Sequence, residues 1–575
     1  MYDAWALFEE GAQPYLVNQT LGGTSCVLDE SLVAALADEE AKASTQEEVM
    51  SFAAFGLLTH RFQGCSFTRS SAQSLMQELG YTSSAALPLP ETNASVLGRA
   101  IADCYIEYGL NDGSNEAGGY QNRSYQPANN PLRVDRGLED IAEDPNRWQP
   151  LTFDDRDFID QSGNSSSEGS ATPEFLSAEW GQVAPFALPD SARQELERDS
   201  ETFIVYHDPG PPPLYRPEAS SEENEAYRWN FSIVANWASH HDPNSGVMVD
   251  ISPASAGGLE VDYESVEQSD YEELYRPDGP NWGPGHSQNP ATGEPYQVQS
   301  VPLGDYTRVL AEFWADGPSS ETPPGHWFVI LNYVSDQPEL TRQWAGKGAA
   351  LSPLEWDVKA YFALGGALHD AAIAAWSIKG FYDYIRPISA IRYLGQAARG
   401  TQGLFLSPAY IRTITEEPSI NFGLEWTGQA EIFTWRPAME RDAEAPSVGW
   451  LASARWVPYQ PPNFITPPFA GYVSGHSTFS RAAAEILTAI TGDPYFPGGL
   501  GEFIAEKDTF LEFERGPSEE IRLQWATYRD ASDQTSLSRI WGGIHPPVDD
   551  IPGRRIGIRV AADAIEAANQ LFGAN

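Results

Sequence analysis

Cysteine is scarce. The three in 575 residues, Cys26, Cys65 and Cys104, lack the paired CxxC-type spacing of a structural zinc site or an iron–sulfur centre, and an odd count argues against a disulfide scaffold. One disulfide is compatible with them, and so are buried free thiols. No run of 18 apolar residues occurs, which excludes a membrane-crossing helix. Positive charge is also in short supply: 35 Lys and Arg face 81 Asp and Glu, a net charge of −46. Nucleic acids and anionic lipids are held through a basic footprint, so neither is expected as a partner. A P-loop, a Rossmann glycine pattern and HExxH are all missing. Strand-like alternation is rare, with FIVYH (203–207) and WFVILNY (327–333) the best candidates.

What is present argues for a large buried core. Hydrophobic residues make up 41% and aromatics 12%, too apolar for a disordered chain, and the length exceeds one ordinary domain. Helical periodicity appears at 30–44, 74–81, 92–109, 305–316, 354–378, 480–491 and 556–572. Between 110 and 300 the chain is rich in Pro, Gly, Asn and Ser with interspersed aromatics, which suggests ordered loops covering helices. The expectation is a mainly α fold of two helical bundles with long irregular loops. Residues 1–300 form the N-terminal helical half and 301–575 the C-terminal bundle. The start, MYDAWALFEEG, has neither a basic nor an apolar stretch and reads as the middle of an amphipathic helix without a cap. An exported protein whose signal is missing from this chain is expected, with a cytoplasmic location as the alternative.

Three segments carry chemistry. In WSIKGFYDYIRP (376–387), seven residues separate Lys379 from Arg386, close to two helical turns, so both cations share a face until Pro387 bends or ends the helix. The plain alternative is that Asp383, four residues after Lys379, neutralises a solvated face. In FAGYVSGHSTFSRAAAEILTAIT (469–491), Ser474, Gly475 and His476 precede an amphipathic helix. A helix N-terminus offers free N–H groups to an oxyanion, Gly475 permits close approach and Ser474 adds a hydroxyl. The plain alternative there is an ordinary N-cap. In SRIWGGIHPPVD (538–549), Arg539 can grip an oxyanion, His545 can act as nucleophile, base or ligand, and Asp549 can orient its ring. Each segment alone reads as structural. In one chain, Lys-x6-Arg-Pro, Ser-Gly-His and Arg-x5-His-x3-Asp supply the cations, hydroxyl and histidines that a trianionic tetrahedral oxide needs.

That ordered signature resembles the superfamily of vanadium-dependent haloperoxidases and type 2 phosphatidic-acid-phosphatase-like acid phosphatases, with Val473 where proline is usual. Chain length favours the haloperoxidase branch. So does EFWADGPSSETPPGHW (312–327), which is similar to a haloperoxidase segment whose aspartate pairs with the last arginine, a role that falls on Asp316 and Arg539. Trp376 and Phe469 are placed as in chloroperoxidase-like members. The resemblance implies vanadate as cofactor, bound to His545 and clamped by Lys379, Arg386, Ser474, Gly475 and Arg539. It implies His476 as proton carrier, Lys379 as the group polarising peroxide, and Asp316, Trp376, Phe469 and Asp549 in support. Hydrogen peroxide, halide (bromide, and chloride behind it) and a small organic acceptor are the implied partners, and a homo-oligomer is open. Two alternatives stand: an acid phosphatase with a phosphohistidine at His545, and a non-catalytic oxyanion-binding protein. His326, His369 and the His240–His241 pair match no ligand position and read as hydrogen-bonded core residues.

Overall fold

Long amphipathic periodicity, where the chain has it, becomes helix. The computed structural model describes all residues except 37, 39, 82–90, 138, 154–157, 160–164, 167–171, 316–319, 406, 416–425, 438–446 and 574–575. Among the described residues the α-helices are Tyr2–Ala6 (α1), Glu30–Ala34 (α2), Lys42–Arg61 (α3), Ser66–Glu78 (α4), Asn93–Asn111 (α5), Glu225–Trp237 (α6) and Tyr271–Leu274 (α7). They continue with Leu303–Phe313 (α8), Pro323–Asp336 (α9), Pro353–Tyr382 (α10), Pro387–Leu394 (α11), Gly475–Thr491 (α12), Tyr528–Trp541 (α13) and Pro547–Leu571 (α14). The fold is mainly α. Strands form short ribbons and one three-stranded antiparallel sheet, Ile411–Thr413, Ala430–Trp435 and Val448–Ala452. None of the described helices is long and apolar enough to cross a membrane.

The helices that matter most for chemistry pack on one another: α10 lies against α12, α14 and α9, and α12 against α13 and α14. An alanine stripe on α10, with Ala360, Ala363, Ala367, Ala371 and Ala374 all fully buried, lets its neighbours come close. Side-chain caps fix where these helices start. Ser352 accepts from the Glu355 N–H ahead of Pro353, and Thr527 forms a capping box with Asp530. Gly557 of α14 faces α12 so tightly that a Cβ there would sit 2.6 Å from the Thr478 carbonyl oxygen.

Several expectations need correction. WFVILNY is helical, not extended: it lies inside α9, started by a Thr322 cap and Pro323 at the first position. Trp327, Ile330 and Leu331 are buried while Val329 and Asn332 are exposed, a helical spacing that a short, mostly apolar run does not reveal. FIVYH does fall in a strand, Glu201–Tyr206, paired with Arg193–Arg198. The 30–44 stretch splits between α2 and α3. Helix α1 is only five residues long and buries all of them, with Tyr2 stacked on Phe362 at 4.0 Å. Cys26 and Cys104 form a disulfide across 78 residues, while Cys65 is free and exposed.

Candidate oxyanion site

Helix α10 delivers the first cation. Lys379 lies in its last turn, fully buried, and donates from Nζ to the carbonyls of Ala470 and Gly471, both at 2.9 Å. The helix ends at Tyr382, where Asp383 takes a left-handed conformation (φ 50°), so no continuous helical face carries Lys379 and Arg386. The two converge because the chain turns. Arg386 then caps α11, preceding Pro387. Nor is Asp383 on a solvated face: it is fully buried and binds Arg147 Nε and Tyr125 Oη, each at 2.8 Å.

Helix α12 supplies the second piece. Ser474 is its N-cap, accepting from the Ser477 N–H at 3.3 Å, and its own N–H donates to the Asp549 carbonyl at 2.8 Å. The hydroxyl proton of Ser474 remains available as a donor. A Cβ on Gly475 would meet the Trp376 ring at 3.1 Å, so the glycine lets the helix start against that indole. His476 follows, 5% exposed, with Nε2 unpartnered among the described residues. Its other ring nitrogen faces the Trp314 carbonyl, which also receives Arg539 Nη1 at 2.8 Å. Burial, then the positive charge of Arg539, pulls the His476 pKa well below the usual histidine value.

The third piece closes the ring. Arg386 donates from Nε to the Phe469 carbonyl at 2.8 Å and from Nη1 to the Ile544 carbonyl at 3.0 Å, and that same Nη1 lies 3.1 Å from His545 Nε2. His545 Nδ1 lies 2.8 Å from Asp549 Oδ2. A guanidinium can only donate, so Nε2 must be the accepting nitrogen and Nδ1 must carry the proton given to Asp549. Burial and the neighbouring Arg386 drive the His545 pKa well below normal, while burial raises the Asp549 carboxyl to about 8. Burial, then Arg386, also lowers the Lys379 ammonium far below its usual value. Among the described residues no carboxylate lies within ion-pair reach of Lys379. Lys379, Arg386 and Arg539, two histidines of lowered pKa and the start of α12 thus meet in one buried locus.

Phe469 and Trp376 stand beside it, with ring centroids 4.8 Å apart and Lys379 Nζ 5.0 Å and 5.6 Å from the two rings. Behind them are Tyr125, Trp148 and Phe175, drawn from the loop-rich middle segment, where sequence reasoning assigned no residue a part. Aromatic density was the available signal, but nothing in the local pattern said which ring faces Phe469. Asp316 lies outside the described residues. His240 and His241 are core residues: His240 Nε2 meets the Pro277 carbonyl at 3.1 Å and His241 Nε2 the Trp541 carbonyl at 2.8 Å. His369 Nε2 faces the Ala184 carbonyl at 3.0 Å, and Asp370 accepts the Phe186 and Ala187 N–H groups. No cluster of His, Cys, Asp and Glu able to hold a metal occurs among the described residues.

Residues 359–574 match the family model described as the VCPO second helical-bundle domain. The apo-type bacterial vanadium-dependent chloroperoxidase is similar across 100% of this chain and 91% of its own, at 14% identity and a TM-score of 0.59. Its holo-type counterpart is similar across 100% and 89%, at 15% identity and 0.58. No curated protein matches the sequence. The chain is vanadium-haloperoxidase-like, and at these identities the structural likeness shows the fold alone.

Proposed function

We propose that this chain is a vanadate-dependent haloperoxidase that oxidises bromide, and chloride less readily, with hydrogen peroxide. The overall conversion is Br⁻ + H₂O₂ + H⁺ → HOBr + H₂O, with the oxidised halogen passed to an organic acceptor. One observation carries the reading: His545 Nε2 is held as a lone pair by Asp549 and points into a buried group of cations. The donor set fits vanadate. His476 Nε2 is a buried acceptor with no partner among the described residues, and Lys379 has a third N–H beyond the two given to carbonyls.

His545 would hold the vanadium, and Lys379, Arg386, Arg539, the Ser474 hydroxyl and the Gly475 N–H would hold its oxygens. Bound vanadate supplies a Lewis acid that activates peroxide towards halide without changing its own oxidation state. The residues do the rest. Asp549 keeps the His545 proton on Nδ1. His476, neutral at working pH, takes a proton at Nε2 and returns it. Lys379 holds positive charge where oxygen charge develops, aided by a low dielectric that makes such donors effective. Phe469 and Trp376 keep water from that side.

Phosphate shares the geometry and charge of vanadate, so one experiment separates the two chemistries. Purified protein is given orthovanadate, bromide and hydrogen peroxide, and bromination of an organic acceptor is followed beside hydrolysis of a phosphate ester. Vanadate-dependent bromination is expected. Its absence alongside strong ester hydrolysis would establish the phosphatase instead. His545→Ala should lose vanadate, whereas His476→Ala should retain it and lose turnover. Normal vanadate binding by His545→Ala would overturn the ligand assignment.

A further inference from the structure

A cavity of about 750 Å³ is lined by Phe313 and Ala315, the chain neighbours of Trp314. Its wall includes His326, whose ring lies 5.2 Å from that of Trp314, the residue whose carbonyl holds His476 and Arg539. His326 is 5% exposed, and its Nε2 has no partner among the described residues. Its other ring nitrogen faces the Ala315 carbonyl, which leaves Nε2 as a lone-pair acceptor for one O–H or N–H.

The remaining lining combines two features. Aromatic faces dominate: Phe313 packs on Phe503 at 4.3 Å and lies 6.1 Å from Trp525, Phe510 adjoins Phe503, and Phe496 and Phe513 complete the wall. Glu312, Glu321, Glu502 and Glu512 line it too, and among the described residues no lysine or arginine does. Glu312 keeps its proton to about 7 because it is buried, and Glu502 pairs with Arg522 at 3.2 Å, so Glu321 and Glu512 supply the negative field. Aromatic faces and carboxylates both attract organic cations. An anion entering here would meet repulsion from these carboxylates.

We propose that this cavity is the acceptor site, built for an electron-rich aryl ring with a hydroxyl or N–H for His326 and an ammonium side chain for the carboxylates. The assignment of this ligand as the halogen acceptor rests on the haloperoxidase reading; its binding does not.

The probes are tyramine and 4-hydroxyphenylacetate, which share a phenol and differ in the sign of the side-chain charge. Calorimetric titration of the whole chain, with and without orthovanadate, should show tyramine binding at least ~10-fold more tightly. Val329, half exposed at the cavity rim, and Asn463 provide two blocking variants. Val329→Trp and, independently, Asn463→Trp should each weaken tyramine by at least ~10-fold. Glu321→Gln combined with Glu512→Gln should narrow the discrimination between the probes. Equal binding of the two, a preference for the anion, or unchanged binding in both tryptophan variants would overturn the proposal. Bromide oxidation is measured separately. Its absence with intact tyramine selectivity removes the haloperoxidase reading and leaves the site, and the converse removes only the site.

Discussion

His545 Nδ1 at 2.8 Å from Asp549 Oδ2 decides which ring nitrogen faces a ligand. The spacing of the two residues is visible in the sequence, because position i+4 at a helix start can reach back. Replacing the carboxyl with an amide sets an N–H donor in competition with the oxygen that accepts from Nδ1, and so loosens the hold on the tautomer. Asp549→Asn should therefore weaken vanadate about 10- to 100-fold with little change in secondary structure. Equilibrium dialysis with circular dichroism checks this, and an unchanged affinity would refute the orienting role. Glu312 offers a test of sign. Burial raises its carboxyl from 4.5 to about 7, so folded Glu312 keeps a proton that the unfolded chain releases. Its contribution to stability is intact below pH 4.5 and is lost as the pH rises through 7, on the order of 3 kcal/mol in all. The Tm of Glu312→Gln should thus gain on wild type between pH 4.5 and 7 and run parallel above it. A constant offset across that range would contradict the raised pKa. Neither Glu312 nor Asp383 could be read from sequence as buried, since a lone carboxylate gives no sign of what covers it.

At the scale of elements, the site depends on where α12 begins relative to α10 and α14. Both long helices were legible because apolar residues recur at helical spacing over several turns, and Ser474 before such a run marks a start. Helix α9 was not legible: a short, mostly apolar stretch has too little contrast to show its period, and the Thr322-Pro323 start signal was the better guide. The loops around Tyr125 and Arg147 have no period, so their attachment to Asp383 came only from the structure. The α12–α14 contact is tight enough to test. Gly557→Leu drives a side chain against the Thr478 carbonyl, which a Cβ alone would approach to 2.6 Å. Overpacking of this kind costs about 1–3 kcal/mol. Because Thr478 is one turn into α12, the Ser474–His476 start should shift with it, so Tm and vanadate affinity should fall together. A lower Tm with unchanged affinity would show that the start of α12 is positioned by other contacts.

Over the whole molecule, two electrostatic effects oppose one another for an incoming anion. The net charge of −46 repels vanadate and halide at long range, while Lys379, Arg386 and Arg539 attract at contact. The distances separate them. Screening shortens from about 30 Å at 0.01 M salt to about 10 Å at 0.1 M, so salt weakens the field of the distant coat first. The three cations are at most 1% exposed and act across a low-dielectric interior that salt ions do not enter. Inert salt should therefore speed vanadate association, opposite to the usual effect of salt on an anion approaching a positive site. Stopped-flow association rates between about 0.01 and 0.1 M sodium nitrate give the sign directly. A rate that rises with salt, with dissociation little changed, means the acidic coat governs encounter and the buried cations govern retention. A rate that falls means the pocket's own field reaches solvent, and the coat has no part in selecting what arrives.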